Sequence, residues 1–320
     1  MEKTNKPGLE GESSESLSRR NFFTSAATIG FAAAAGAQLL SPDTAHAQAP
    51  ACPETTLDKI KRMSEFSVGA RQGVFPFGYL DKDNNWTGIS TEIVREVHKA
   101  IEKELKTSVK LNLVPVTSQT RIPLLLNGTV DMDAGSTVIT QARAKVVDFC
   151  IPFLGTGLHL LLPAGSRIKG WKDLAGKRMG TVQGAFDPEL YADLNKSGKM
   201  NPPVEIVAFR DHPDGFQALV NGAVVAYSTD GPILAGLRAR AAKPQDWKII
   251  DPELSSELYA FAVRPNDSKF RALVDATFVD LFHSGRFMKL YNQFLGPSSQ
   301  VPFPIDANMK ALLYLFDLPK

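Results

Sequence analysis

The sequence is short of the residues that carry metal, redox or covalent chemistry. It has two cysteines and five histidines in 320 residues, and none of them falls at the spacing of a zinc site. It shows no nucleophile triad and no phosphate-binding glycine loop. The net charge is only +2, which argues against nucleic acid or an anionic membrane as a partner. We therefore expect no metal, no cofactor and no nucleic acid.

What the sequence does contain is the makeup of a globular protein behind an export signal. With 43% hydrophobic and 22% charged residues, the chain can bury a sizeable core. Residues 1–47 are different, because Ser18–Phe23 (SRRNFF) is a twin-arginine pattern and Ala45–Ala47 (AHA) is a small-residue cleavage site. The apolar stretch between them is weak beside the roughly 20 residues of a membrane span. We expect export by the Tat machinery to the periplasm, with cleavage near Ala47.

The two cysteines, Cys52 and Cys150, would then reach a compartment where a disulfide can form. A twin-arginine substrate is expected to fold before export, so that pairing would have to wait for oxidation. We expect a buried thiol at Cys150 and an unpaired Cys52, and pairing stays open as the alternative.

Strand and helix patterns alternate along the rest of the chain. Phe66–Ala70 is a first strand, and Ser90–Lys106 carries apolar residues four apart, which predicts an amphipathic helix capped by Ser90 or Thr91. Val204–Phe209 opens a similar series further on, and Tyr259–Val263 is predicted as one strand. The alternation predicts an α/β protein built from βα units around a mixed sheet.

One stretch combines two hydroxyl clusters with two arginines. Ser118 and Arg121 stand where a strand gives way to a helix predicted to begin at Gln119, and Ser136, Thr137 and Arg143 repeat the arrangement. A helix start offers free backbone N–H groups and a positive dipole end, so an anionic ligand is favoured there. Hydroxyls at such places also cap helices, and the two roles are compatible.

Three segments, SQTRIPLLLNGTVDMDAGST, AFRDHPDGF and AYSTDGPILAGLRARAAKP, carry a resemblance to a known family. They resemble the glutamate/aspartate-binding members of the periplasmic type 3 solute-binding proteins, which deliver amino acids to ABC transporters. The resemblance implies the type II periplasmic binding protein fold, with two α/β lobes joined by two crossing strands. It implies residues 48–155 and 258–320 for lobe 1, residues 156–257 for lobe 2, and an inner-membrane ABC permease as partner.

The resemblance also assigns roles within the predicted binding site. Arg143 would clamp the α-carboxylate of the ligand, Arg71 and Arg121 its side-chain carboxylate, and Asp230 its ammonium group. His212 would be a further contact, although a lone histidine can equally be structural and Asp230 can be a plain helix cap. The full predicted set of ligand-binding residues is Arg71, Ser118, Arg121, Ser136, Thr137, Arg143, Gly184, Ala185, His212 and Asp230.

Charge counting then predicts the ligand class. Three arginines against Asp230 leave +2, and an acidic amino acid brings two negative charges and one positive charge. A neutral amino acid would leave one buried arginine without a charged partner, at a cost of roughly 3–5 kcal/mol. The sequence therefore predicts glutamate or aspartate, and leaves the choice between them open.

Departures from the family pattern bear on that choice. Gln183-Gly184-Ala185-Phe186 stands where relatives have a Gly-Thr-Thr run, so that two hydroxyls are missing and backbone N–H groups of Gly184 and Ala185 would have to serve. Phe186 is expected to narrow the pocket. Val138 replaces a threonine of the first hydroxyl cluster.

Two other functions remain possible on the same fold. Cyclohexadienyl dehydratases resemble these binding proteins, and an enzyme of that kind would need an acid such as Glu92 or His212. The sequence shows no second acid clearly paired with it, so binding without catalysis is the prediction. A sensor that signals rather than transports is the third possibility.

Overall fold

The computed structural model describes residues 54–251, 254–305 and 307–316. The twin-arginine pattern, its cleavage site and Cys52 lie outside these residues. The strands are β1 Glu65–Ala70, β2 Gly73–Val74, β3 Gly78–Leu80, β4 Trp86–Thr87, β5 Lys110–Pro115, β6 Met132–Asp133, β7 Asp148–Phe149, β8 Leu154–Thr156, β9 Leu158–Pro163, β10 Arg178–Val182, β11 Glu205–Phe209, β12 Ala226–Asp230, β13 Trp247–Ile250, β14 Glu257–Tyr259 and β15 Ala262–Val263.

The helices fill most of the connections between these strands. None of those described is both long and apolar enough to cross a bilayer. They are α1 Thr56–Met63, α2 Ile89–Leu105, α3 Arg121–Leu126, α4 Gln141–Ala144, α5 Asp187–Lys196, α6 His212–Val220, α7 Gly231–Ala239, α8 Ser268–His283, α9 Arg286–Phe294 and α10 Ala307–Leu315.

The first five-stranded sheet has the order β5-β1-β6-β15-β7. Its strand β1 is parallel to β5 and β6, whereas β15 is antiparallel to its neighbours β6 and β7. Phe66 and Val68 of β1 are fully buried, in one core with the apolar stripe of α2. The stripe predicted from the sequence is therefore the face that covers this sheet.

The second five-stranded sheet, with the order β11-β10-β12-β9-β13, repeats this plan. Strand β10 is parallel to β11 and β12, and β9 is antiparallel to β12 and β13. The apolar run Leu158–Leu162 forms β9 inside the sheet, where Leu160, Leu161 and Leu162 are fully buried. A strand covered on both faces reads as a continuous apolar run rather than as an alternation.

Two connecting strands, β8 and β14, pair antiparallel between the two sheets. The chain leaves the first sheet through β8 and returns through β14, and each crossing is followed by the antiparallel strand of the sheet it enters, β9 or β15. The predicted fold class, two α/β lobes joined by two crossing strands, is confirmed. The stretch Tyr259–Val263, predicted as one strand, is divided between β14 and β15 because the chain changes partners there.

Two predicted helix starts are wrong. Helix α2 begins at Ile89 after Gly88, and neither Ser90 nor Thr91 caps it. Gly88 has φ of 115°, and a Cβ on it would lie 2.2 Å from the carbonyl oxygen of Phe77, so only glycine fits at this entry. Helix α3 begins at Arg121 rather than at Gln119.

Candidate functional site

A small cavity of about 10 Å³ lies between the two sheets, beside the connecting strands. Four of its charged lining residues, Arg121, Asp187, Asp230 and Glu257, are buried. The lining residues come from the first sheet's side (Ser118, Arg121, Ser136, Val138, Arg143), from the second sheet's side (Leu158, Ala185, Phe186, Asp187, His212, Thr229, Asp230, Ile233) and from β14 (Glu257).

The position of the cavity follows from the parallel strands. Arg71 follows the end of β1, His212 lies shortly after the end of β11, and Asp230 is the last residue of β12. Side chains at the carboxyl ends of neighbouring strands meet at one edge of an α/β sheet, which is where such sheets bind ligands. Here two such edges face each other.

Arg71 is buried behind the cavity wall rather than lining it. Its Nη1 donates a hydrogen bond of 2.9 Å to Oγ of Ser118, which does line the cavity. Burial, and secondarily the charge of Arg121, lowers the pKa of Arg71 to about 10. The guanidinium is still charged at neutral pH, and it fixes the Ser118 hydroxyl at the cavity surface.

Arg121, the first residue of α3, is only 2% exposed. Nη1 donates to the carbonyl oxygen of Ser136 at 3.0 Å, whereas the buried Nε has no hydrogen-bond partner among the described residues. Burial lowers the pKa of Arg121. The arginine is therefore part of the cavity wall and does not merely decorate the helix surface.

Arg143 spans the cleft. It is partly buried, and Nη1 donates to the carbonyl oxygen of Val138 at 2.8 Å on its own side. Nη2 donates to the carbonyl oxygen of Gly184 at 3.0 Å on the opposite side. Its pKa falls to about 10, first through burial and then through the nearby charge of Arg121.

Asp133, at the end of β6, is a site residue that sequence reasoning missed. Its side chain is fully buried and attracts Arg71, Arg121 and Arg143 alike, which offsets part of the lowering of each arginine's pKa by burial. The Thr137 hydroxyl donates to Oδ2 of Asp133 at 2.5 Å, so Thr137 serves this carboxylate and does not line the cavity. Its place at the end of a parallel strand was the signal that could have found it.

His212 begins α6 and is buried against Tyr227. Its Nδ1 lies 2.9 Å from the Tyr227 hydroxyl. Burial, followed by the charges of Arg71 and Arg121, holds the pKa of His212 well below its usual value, so the ring is neutral. A hydroxyl that donates to Nδ1 leaves the hydrogen on Nε2, where it can be offered to an anion.

Two carboxyl groups face the cavity from the second sheet's side. Asp230 stands at the cap position of α7, yet its side chain makes no capping hydrogen bond, and its buried Oδ1 has no partner in the described ranges. Asp187, missed from the sequence, accepts a hydrogen bond from the Thr181 hydroxyl. Burial raises the pKa of Asp187 to about 7.

A third carboxyl group, Glu257, comes from the connecting strand β14 and was also missed. It is only 5% exposed, and Oε1 accepts a hydrogen bond of 2.6 Å from the Ser255 hydroxyl. Burial raises the pKa of Glu257 well above its usual value, and the neighbouring Asp230 raises it further. No sequence pattern predicts that Glu257 lies beside Asp230, because only the crossing of β14 between the sheets brings the two residues together.

The Gln183–Phe186 segment closes the cavity from the second sheet's side. Gly184 has φ of 72°, and a Cβ on it would lie 2.6 Å from Cα of Gln119 across the cleft. Ala185 and Phe186 line the cavity, while Gly184 contributes the carbonyl that Arg143 contacts. The N–H of Ala185 is directed to the carbonyl of Val182 at 3.4 Å.

Neither of the two acids considered for the dehydratase alternative, Glu92 and His212, is placed to donate a proton into the cavity. Glu92 is ion-paired with Arg95 on α2 and does not line the cavity. The neutral ring of His212 is a poor acid. Cys150 is a buried free thiol, and within the described ranges no group of histidine, cysteine and acidic residues is arranged to hold a metal ion.

Two lobes that face each other across a charged cavity, with two strands crossing between them, define a protein that closes around a small polar molecule. Residues 66–297 match the bacterial extracellular solute-binding proteins, family 3, and the chain belongs to that family. It is 36% identical over 281 residues to the glutamate/aspartate import solute-binding protein of Salmonella typhimurium, covering 85% of this chain and 92% of the relative. It is 35% identical to the L-glutamate/L-aspartate-binding protein of Pseudomonas aeruginosa, covering 81% and 87%.

Solved structures agree with this assignment. A cysteine-binding protein from Campylobacter jejuni superposes with a TM-score of 0.67 at 26% identity, over 80% of this chain and 98% of that one. An ancestral amino acid-binding protein, a precursor of cyclohexadienyl dehydratase, superposes with a TM-score of 0.64 at 27% identity, over 75% and 99%. All four of these relatives are binding proteins by name.

Proposed function

We propose that this chain captures glutamate or aspartate in the periplasm and presents it to the permease of an ABC importer. One observation carries the proposal, namely the charge balance of the cavity. The three arginines Arg71, Arg121 and Arg143 outnumber the carboxyl groups of Asp133 and Asp230 by one, while burial raises the pKa of Asp187 and of Glu257 and so favours their neutral forms. An amino acid with two carboxylates and one ammonium group brings one net negative charge, which is opposite in sign to this excess.

Each predicted residue has a role in this proposal. Arg143 binds the α-carboxylate with help from the Gly184–Ala185 segment, because its guanidinium fork suits a carboxylate. Arg121, with Arg71 holding Ser118 behind it, binds the side-chain carboxylate together with His212. Asp230 accepts from the ammonium group, for which its unpartnered Oδ1 is available. The carbonyl oxygen of Ser136 accepts from Arg121 and the Thr137 hydroxyl donates to Asp133, so both residues hold charged groups of the site in place.

Closure of the two lobes provides the signal to the permease. We place lobe 1 at residues 48–155 and 258–320 and lobe 2 at residues 156–257, which the membership of the two sheets supports. A shift from mostly open to mostly closed takes about 5.5 kcal/mol of differential binding. Charged hydrogen bonds at about 1.5–3 kcal/mol each reach this value with a few contacts made only when both lobes meet the ligand.

Export to the periplasm through the Tat machinery completes the proposal. The import role in the name of the Salmonella relative supports an extracytoplasmic location. Replacement of both Arg19 and Arg20 by lysine is expected to leave the protein in the cytoplasm, as fractionation would show. Normal export of this double variant would contradict the route.

The ligand is tested by calorimetry of the mature protein with all common amino acids and small dicarboxylates. We expect glutamate or aspartate to bind more than about a hundredfold tighter than any neutral amino acid. A neutral ligand leaves a buried arginine without a charged partner, which costs roughly 3–5 kcal/mol. A neutral amino acid bound as tightly would refute the proposal. Incubation with prephenate or arogenate is expected to give no product, and turnover would favour the dehydratase alternative.

A further inference from the structure

Unpartnered oxygen atoms mark one corner of the cavity. Oδ1 of Asp230 and Oε2 of Glu257 are both buried, both belong to residues that line the cavity, and neither has a hydrogen-bond partner among the described residues. A buried carboxylate oxygen left without a donor is costly, and most such groups in folded proteins have a partner. Both carboxyl groups lie beside each other and Asp230 also lies beside the Tyr259 hydroxyl, so a proton held by Glu257 can join the two carboxyl groups until a ligand cation takes its place.

The Glu257 side chain is held in place rather than free to turn away. Its Oε1 accepts the Ser255 hydroxyl at 2.6 Å, and Oγ of Ser255 in turn accepts the N–H of Leu158 at 3.0 Å. These contacts tie the carboxyl group to the start of β9 and leave Oε2 as the oxygen available to the cavity. The Glu257 carboxyl group is therefore positioned to accept a hydrogen bond from a ligand in the cavity.

We propose that Glu257 is a second acceptor for the ligand's ammonium group, beside Asp230, supplied by the connecting strand β14 rather than by either five-stranded sheet. The inference rests on the proposed function and extends it. An ammonium group has three N–H donors and can bond both orphaned oxygens at once. Gly231, which follows Asp230 in the sequence, has no side chain to provide such a second contact.

The ionisation of Glu257 is consistent with this role. In the absence of a cation, burial and the charge of Asp230 keep its carboxyl group protonated, since both raise its pKa. A positive charge placed between the two carboxyl groups favours the ionised form, which turns Oε2 into an acceptor. Ammonium binding and Glu257 ionisation therefore support each other.

Calorimetric titration of Glu257→Gln with L-glutamate and L-aspartate tests the inference. A glutamine that keeps the Ser255 bond through its oxygen presents an NH₂ donor to the cavity, and we expect affinity to fall about tenfold. Glu205→Gln makes the same charge change at an exposed position and is expected to bind as the wild type does. A loss of threefold or more supports the inference, and a smaller loss overturns it.

Two further arms keep the result decisive. Glutarate has no ammonium group, so an equal loss of glutarate binding would indicate a general disturbance of the hinge and would also overturn the inference. If Glu257→Gln does not fold, Glu257→Asp replaces it with the same threefold criterion, since it draws the carboxylate back by one methylene. If the wild-type protein binds neither glutamate nor aspartate, the proposed function itself is refuted. If the wild type binds and the Glu257 variants bind equally well, only the inference about Glu257 is overturned.

Discussion

The two sides of the cavity are built on opposite principles. On the first sheet's side, Arg71, Arg121 and Arg143 each donate to a protein oxygen, and Asp133 beneath them supplies a counter-charge. On the second sheet's side, carboxyl groups crowd together without any described cation of their own, and Asp230 keeps an oxygen without a partner among the described residues.

The contrast shows which part of the site awaits the ligand. The arginine side is largely preorganised, so a ligand carboxylate meets donors that are already oriented. The acidic side is completed only when a cation enters, because burial and the neighbouring Asp230 keep Glu257 protonated until a positive charge favours its ionised form. The arginine side is therefore expected to determine most of the affinity, and the acidic side to demand an amino group. Four substitutions test this division, and the one with the greatest predicted loss comes first.

Arg143→Ala removes the arginine that reaches both sides of the cleft. We expect glutamate affinity to fall by roughly 2–5 kcal/mol, or about thirtyfold to several thousandfold, because a ligand carboxylate then loses its charged partner. Calorimetry measures the change, and Lys145→Ala on the same exposed segment is the control. Wild-type affinity in the Arg143 variant would show that Arg143, the arginine that spans the cleft, takes no part in ligand recognition.

Asp187→Asn tests the crowding of carboxyl groups through stability. The folded protein keeps the Asp187 proton up to a pKa of about 7, whereas an unfolded chain releases it near the ordinary aspartate pKa of 3.8. Wild-type stability should therefore fall as pH rises from about 4 to 7, by at most about 4 kcal/mol from this group. The asparagine variant should lack that part of the fall. Urea denaturation at three pH values measures it, with the exposed Asp193→Asn on the same helix as control, and identical pH profiles would contradict the assignment.

Asp230→Asn removes the charge expected to meet the ammonium group. A charged hydrogen bond contributes about 1.5–3 kcal/mol, so affinity for glutamate should fall about tenfold to a hundredfold. Asp214→Asn, exposed on α6, is expected to bind normally. If Asp230→Asn left affinity unchanged, the acidic side would have no part in ligand recognition.

Arg240→Ala probes closure at a contact outside the cavity. The guanidinium of Arg240, which follows α7, stacks on Phe75 and Tyr79 of the first lobe, with its carbon 4.1 Å and 4.5 Å from the two ring centres. Loss of this exposed contact between the lobes should weaken ligand binding by about 0.5–1 kcal/mol, or twofold to fivefold. Arg238→Ala on the same helix is the control, and equal affinities in the two variants would remove the contact from the closure mechanism.

Sequence reasoning found the arginine side better than the acidic side, and the reason is local. Ser118, Arg121, Ser136 and Arg143 stand close together in the chain, so one short stretch displays the pattern. Asp187, Asp230 and Glu257 come from three separate elements, α5, β12 and β14, and no spacing along the chain links them. Asp133 was overlooked for a different reason, since a buried aspartate in a two-residue strand has no distinctive periodicity.

Local sequence was enough to specify the strand and helix alternation, the apolar face of α2 and the hydroxyl and arginine pattern, because each depends on residues a few positions apart. Three other features came only from the way the chain folds back on itself: Gly88 rather than Ser90 opens α2, Thr137 serves Asp133, and Glu257 stands beside Asp230. Those outcomes depend on which distant segments share one small buried volume. Burial sets the cost of every charge there, and neighbours along the chain do not reveal which groups will be neighbours in space.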